Sequence, residues 1–392
     1  MNTLNKSVFL AALLSIPMLS QAASSTEQLQ KEVDALKNQN KMIMERIEAS
    51  IDMMESKQSS KGHGGKGHGS KGSTTTGGYG ELHYNNLDGE GGASDKNEID
   101  FHRFVLFFGH EFSDSIRFFS ELELEHSIAG EGKAGEIELE QAYVEFDLSQ
   151  TTRAKGGLFL IPVGIINETH EPNTFYGTER NPIEKNIVPA TWWEAGAALS
   201  GEFSKGLYYD LALTSGLNLE GKNKIRDGRQ KVAKARANSP MITGRLKYTA
   251  IPGLELATTV ASIDDYTQGQ SAKNSATMIE AHAVYTTGAF GLRALYASWN
   301  VDGKTSGYDK QSGWYIEPSF KISKKIGVFA RYNLYDNQAG TGGPGNSEKQ
   351  QTDIGMNYWP HEDVVVKVDY QTQDNDNNKD QNGVNIGIGY QF

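Results

Sequence analysis

From residue 77 to the C-terminus, apolar and polar side chains alternate with a period of two, the signature of strands that bury one face. The last segment is the clearest. In 383–392, Val384, Ile386, Ile388, Tyr390 and Phe392 fall on one face, and Asn385, Gly387, Gly389 and Gln391 on the other. Versions of the pattern recur at 77–86, 98–112, 115–127, 136–148, 152–161, 191–203, 207–215, 241–249, 254–263, 276–286, 290–300, 313–322, 327–335, 352–358 and 364–373. That makes sixteen segments.

The connections sort by length. Short turns fall at 113–114, 149–150, 204–206, 250–253, 287–289, 323–326 and 359–363. Long polar loops fall at 87–97, 128–135, 162–190, 216–240, 264–275, 301–312, 336–351 and 374–382, so short and long alternate throughout. A membrane barrel with both termini on one side requires that alternation, whereas a soluble sandwich does not. The prediction is an all-β fold, a 16-stranded antiparallel transmembrane β-barrel over 77–392.

The charges orient the strands. Arg117, Glu121, Glu123 and Glu125 oppose Ile116, Phe118, Leu122 and Leu124; Arg153 and Lys155 oppose Ala154, Leu158 and Leu160; Arg245 and Lys247 oppose Ile242, Leu246 and Tyr248. A charge facing hydrocarbon at the bilayer centre costs about 2–4 kcal/mol, so these charged residues are assigned to the lumen wall. Sixteen strands are expected to enclose a water-filled lumen rather than a packed core. Two strands are irregular. Residues 101–110 are apolar on both faces, which suits a subunit contact or an inward-folded loop above them. Residues 138–146 change phase near Gln141, which predicts a β-bulge. Trp193, Trp314, Tyr358 and Trp359, near strand ends, are expected in interfacial girdles.

Upstream of the barrel the pattern changes three times. Residues 1–22 read as a signal peptide, with Lys6 before a short apolar stretch and small residues near Ala22 and Ala23. Residues 26–57 read as an α-helical coiled coil in the periplasm, with Leu29, Val33, Leu36, Asn40, Ile43, Ile47, Ser50 and Met54 on a heptad seam. So narrow a stripe is expected to associate with copies of itself; the seam does not choose between two and three strands. Residues 58–76 form a Gly/His/Lys/Ser-rich flexible linker. Its His63 and His68 are the candidates for a transition metal, held weakly because no carboxylate or Cys joins them; a solvated linker is the simpler reading.

Composition removes several function classes. Among 392 residues there is no cysteine, which excludes disulfide, Cys-zinc and thiol chemistry. The net charge of −11 argues against nucleic acid as a partner. Mean hydropathy of −0.53 is too polar for a helical membrane protein but not for a barrel, which needs an apolar residue only at alternate positions. His83, His102, His110, His126, His170 and His282 are scattered along the chain with no nucleophile motif, so no enzymatic activity and no cofactor are expected.

Two loops carry the candidate chemistry. Loop 162–190 is long and apolar for a surface loop, and Glu168, His170, Glu171, Glu179, Arg180, Glu184 and Lys185 would present charge at a constriction or pin the loop to the wall. Loop 216–240 is basic, with Lys222, Lys224, Arg226, Arg229, Lys231, Lys234 and Arg236. Such a cluster at a pore mouth recruits anions or binds lipopolysaccharide phosphates. Acidic wall residues oppose the basic ones, giving a transverse field that favours dipolar solutes.

In layout over the mature chain, and most specifically in 117–127 (RFFSELELEHS), 138–147 (ELEQAYVEFD), 157–172 (GLFLIPVGIINETHEP) and 244–256 (GRLKYTAIPGLEL), the chain resembles the phosphate-selective porin O/P superfamily of Gram-negative bacteria, including its siderophore-porin-like branch. The resemblance implies a trimeric passive channel in the outer membrane, with a third loop folded inward. Some members carry arginine ladders and lysine clusters for phosphate; the acidic wall and Glu-rich third loop here depart from that, so the fold and the channel carry over and the substrate does not. The expectation is a water-filled channel for small hydrophilic solutes. Alternatives are an anion-, phosphate- or siderophore-selective channel, and a barrel-anchored envelope tether or adhesin. Expected partners are outer-membrane lipid and lipopolysaccharide, further copies of the chain, peptidoglycan, and the outer-membrane assembly machinery through the strand ending at Phe392.

Overall fold

A computed structural model describes residues 72–392. The expected signal peptide, coiled coil and most of the linker, including His63 and His68, lie outside the described residues. Sixteen strands follow in order: β1 Thr74–Gly89, β2 Lys96–Ser113, β3 Ile116–Glu125, β4 Ile137–Asp147, β5 Thr152–Leu160, β6 Trp193–Ser204, β7 Leu207–Thr214, β8 Met241–Tyr248, β9 Leu254–Ile263, β10 Ala276–Thr287, β11 Phe290–Val301, β12 Lys310–Lys321, β13 Ile326–Asp336, β14 Lys349–His361, β15 Val364–Gln373 and β16 Gln381–Gln391. Each pairs antiparallel with its sequence neighbours, and β1 pairs with β16, so the sheet closes. The linker ends earlier than its composition suggests. Thr74, Thr75 and Thr76 already pair with His110, Gly109 and Phe108, since β-branched threonines extend readily onto an unpaired stretch of β2.

The C-terminal residue completes the closure. The Phe392 amide donates to the Gly78 carbonyl (2.9 Å), and the Gly78 amide to the Phe392 carbonyl (3.0 Å). The faces fall as the charge argument requires. Val366, Val368, Tyr370, Ile386 and Ile388 are exposed on the outside, while Lys367, Asp369, Gln371 and Asn385 are buried inside. The phase change in β4 is a bulge: Glu121 pairs with Gln141 and Leu122 with Leu139, leaving Glu140 as the extra residue. On β2, the inner apolar face meets aromatic neighbours. Phe107 packs against Tyr79 and Phe119 with centroids 5.7 Å from each, and Phe119 against Tyr143.

Two expectations need correction. Trp193 is not in a girdle: it is 3% exposed and lines the interior, with the Arg229 guanidinium 5.9 Å from its ring. Nor is the interior simply water-filled. The connection 161–192 (loop 3) and the connection 215–240 (loop 4) pack Ile183, Ile187, Val188, Trp192, Leu217, Leu219 and Ile225 against the inner faces of β8–β12, where Met241, Ala261, Met278, Ala297, Trp299 and Tyr315 meet them. The packing lies at the long-loop ends of these strands, and further along the same inner faces come the buried Arg245, Glu280 and Glu317.

Candidate functional site

Loop 3 reaches from β5 and β6 to strands across the barrel. The Asn357 side chain donates to the Phe175 carbonyl (3.1 Å), and Arg331 donates to the carbonyls of Tyr176 (3.2 Å) and Glu179 (3.3 Å). Asp369 on β15 accepts from the Thr178 amide (2.7 Å), and the Trp299 indole donates to the Ile187 carbonyl (2.9 Å). Glycine on the inner face of β16 makes room: a Cβ at Gly389 would lie 2.3 Å from Pro172. The alternate glycines of the terminal strand are thus a sequence signal for close approach by another segment.

Within loop 3 a short helix, α1 (Ile183–Asn186), organises the turn back. Glu184 is fully buried, and its carboxylate accepts from the amides of Ile165 (2.6 Å) and Ile166 (2.8 Å), from Asn181 (3.0 Å) and from the Tyr315 hydroxyl (3.0 Å). Burial raises its pKa. A Cβ at residue 164 would sit 2.4 Å from that carboxylate, and Gly164 has φ +70°, so both space and backbone require glycine there.

The other loop 3 residues divide between pinning and lining. Glu168 pairs with Arg245, which also donates to Asp210 (2.8 Å). His170 is buried against Glu121 and Glu140. The Glu171 carbonyl accepts from the Thr174 amide (3.0 Å) and caps a 3-10 turn at Pro172–Thr174. Glu179 accepts from Asn85 (3.1 Å) and approaches His83 (3.3 Å), and Arg180 donates to the Thr191 hydroxyl (2.7 Å). Glu179, Arg180 and Lys185 border an interior cavity of about 610 Å³.

That cavity has two chemically different walls. Strands β1–β4 contribute seven acids, Glu81, Glu98, Asp100, Glu123, Glu125, Glu138 and Glu140, against Lys96 and Arg103; loops 3 and 4 contribute Arg180, Lys185, Arg226, Arg229 and Lys231 against Glu179. Three residues of the basic loop therefore turn inward. Arg226 donates to the carbonyls of Lys185 (3.1 Å) and Ala190 (2.6 Å), Arg229 to the Thr191 carbonyl, and Lys231 sits between Glu136 (2.5 Å) and Glu138. Burial lowers the Arg226 pKa to about 10. Lys224, Lys234 and Arg236 are exposed, while the Lys222 carbonyl accepts from Lys304 (2.6 Å).

On the remaining wall, Arg117 and Arg153 share Asp147, and Lys155 lies over the rings of Tyr143 (5.1 Å) and Phe159 (4.8 Å). Lys247 is half-buried and pairs in register with Tyr208. Arg331 joins Glu317 (3.2 Å) and Asp353 (3.0 Å) in an ion triad 3% exposed or less on its basic side.

Sequence reading missed one gathering. His83, His102 and His126 are far apart along the chain, yet His83 and His102 stack at 4.6 Å, and His102 and His126 both reach Asp100. Pairing of the consecutive strands β1, β2 and β3, with the register shift between β1 and β2, brings them together, which no local pattern announces.

A closed 16-stranded barrel with an apolar outer band and a charged interior defines an outer-membrane channel protein. The chain matches the Gram-negative porin family over residues 190–378. An uncharacterised protein of Aquifex aeolicus (strain VF5) is 30% identical over 352 residues, covering 81% of this chain and 79% of that one. Solved structures share the fold at low identity. An anion-selective porin from Comamonas acidovorans has TM-score 0.59 at 14% identity, covering 82% of this chain and all of that one. Salmonella typhi OmpF, in complex with daunomycin, has TM-score 0.57 at 13% identity, with 82% and 97% covered. The channel DcaP of Acinetobacter baumannii has TM-score 0.56 at 13% identity, with 83% and 99% covered. The chain belongs to the Gram-negative porins.

Proposed function

We propose that the protein is a passive outer-membrane channel for small hydrophilic solutes, with loop 3 as its constriction. The observation that carries this reading is the set of bonds from Arg331, Asn357, Asp369 and Trp299 to the loop 3 backbone. A surface loop would hydrogen-bond its backbone to water; this one bonds to the inner wall on the far side of the barrel. Glu179, Arg180 and Lys185 then line the path, while Glu184, His170 and Glu168 hold the loop in place. The acidic wall of β1–β4 facing Arg226, Arg229 and Lys231 sets up a transverse field suited to dipolar solutes. Opposed charges of this kind give weak selectivity by sign.

Anion preference is the second reading, and the five basic side chains that loops 3 and 4 present to the cavity favour it. Upstream, residues 1–22 act as a signal peptide, and 26–57 form a periplasmic coiled coil joined by a tether to each barrel of a trimer. Purified protein in planar bilayers is expected to give stepwise conductance in threes. Bilayers that stay silent would favour a tether or adhesin instead. The reversal potential in a salt gradient separates the two channel readings: near zero supports weak selectivity, and a strongly anionic value supports the second.

A further inference from the structure

The β4 bulge has a chemical consequence. By giving β4 one extra residue it turns Glu140 inward, beside Glu121 on β3 and opposite His170 from loop 3. All three are about 2% exposed. The His170 Nδ1–H faces the Asn167 carbonyl (3.2 Å), which leaves Nε2 aimed at the two carboxylates. A metal-ligating imidazole is usually oriented by such a bond from its other nitrogen. Nε2 lies 3.4 Å from Glu121 Oε1 and 3.4 Å from Glu140 Oε2. Those separations are long for charge-assisted hydrogen bonds. They match the spacing of about 3.3 Å between two ligands that each stand about 2.0 Å from a tetrahedral ion.

Charge and satisfaction point the same way. Glu123 is buried beside this group, and neither Glu123 Oε2, Glu140 Oε2 nor His170 Nε2 has a hydrogen-bond partner among the described residues. The nearby Arg103 pairs with Glu81 at 2.5 Å through Nε, and its other nitrogens reach the Tyr79 hydroxyl (3.4 Å) and the His170 carbonyl (3.5 Å) rather than the carboxylates of this group. Glu121 also accepts from Gln141 (2.7 Å), so Glu123 and Glu140 are the carboxylates left with an unpartnered oxygen beside the imidazole, and buried charges are ordinarily paired or coordinated to metal.

The geometry points to a divalent transition-metal site, of the zinc class, formed by Glu121, Glu140 and His170. The ion clamps loop 3 to β3 and β4. The donor set of one imidazole and two carboxylates suits zinc or manganese better than calcium, which takes oxygen ligands. The inference uses only where loop 3 meets the wall and is independent of what passes through the pore.

The test uses the full chain, purified as the folded oligomer, with Co2+ as a spectroscopic stand-in for Zn2+. The expected result is one equivalent per protomer that survives dialysis, shows visible d–d absorption and is displaced by Zn2+ but not by Ca2+. Glu140→Gln and His170→Gln should each lose that equivalent while the barrel stays heat-modifiable on gels. Asp100→Asn, which alters the separate His102–His126 group, should keep it, as should His63→Ala/His68→Ala in the linker. If the two site variants retain the same absorption as the parent, or the parent binds only at millimolar Co2+, the site is an imidazolium–carboxylate clamp and the inference fails.

Discussion

The two sides of the barrel interior obey different rules. Along β8–β12 the inner face carries Met241, Ala261, Met278, Ala297 and Trp299, and the loops fill the space above them with apolar side chains. Along β1–β4 the inner face carries Glu81, Glu121, Glu123 and Glu140, and a cavity remains. Both sides face lipid with the same apolar band. The outer face of a strand therefore reports the membrane, while its inner face reports whether a loop lies on it. Inward apolar residues beside a long loop mark where that loop packs, whereas inward charged residues occur on both sides, Glu280 and Glu317 among them on β10 and β12.

The largest effects should come from breaking the packed side. Trp299→Ala removes the largest side chain beneath loop 3 and its bond to Ile187, and is expected to cost about 3–5 kcal/mol of local stability. Single-channel records should become noisier, and proteolysis should enter loop 3 in the folded barrel. Arg331→Ala leaves Glu317 and Asp353 buried without their partner, a loss of about 3–5 kcal/mol for a broken buried pair. Thermal unfolding of the purified barrel reads that loss, and Arg331→Lys should restore little because one ammonium cannot serve two carboxylates and two carbonyls.

Smaller effects should come from the membrane band and the solvated side. Val366→Lys, facing lipid, is expected to cost about 2–4 kcal/mol near the midplane, whereas Gln371→Lys, on the inner face of the same strand, should cost far less. Chemical unfolding in lipid vesicles compares them directly. Arg226→Glu with Arg229→Glu cancels most of the positive charge on the loop side of the cavity and should move the reversal potential toward cations, with some loss of stability because both side chains donate to loop 3 carbonyls. Equal shifts from Lys234→Glu and Arg236→Glu, which are exposed, would place selectivity at the mouth instead.

Much of this was legible in the sequence, for a physical reason. Strand pairing in a closed barrel is local, so alternation and loop length name all sixteen strands, and the β4 phase slip names its bulge. Where loops go is not local. The apolar residues of 162–190 signalled burial, but Gly387 and Gly389 stand out only once Pro172 and Thr178 are seen against them, and Ile225 gave loop 4 no comparable signal amid its charges. Trp193 looks like a girdle residue because it stands at a strand end; only the position of Arg229 above its ring gives it an interior role. The His83–His102–His126 group depends on the register shift between β1 and β2, which single-residue patterns do not encode.

The central claim is that loop 3 lies in the conducting path. The chain has no cysteine, so single cysteines can be placed without background. Lys185→Cys puts a thiol on loop 3 at the cavity, and Lys273→Cys puts one on an exposed outer loop. A bulky thiol reagent added during a single-channel recording should cut the current stepwise for Lys185→Cys and leave Lys273→Cys unchanged. Undiminished current through fully labelled Lys185→Cys channels would contradict the account.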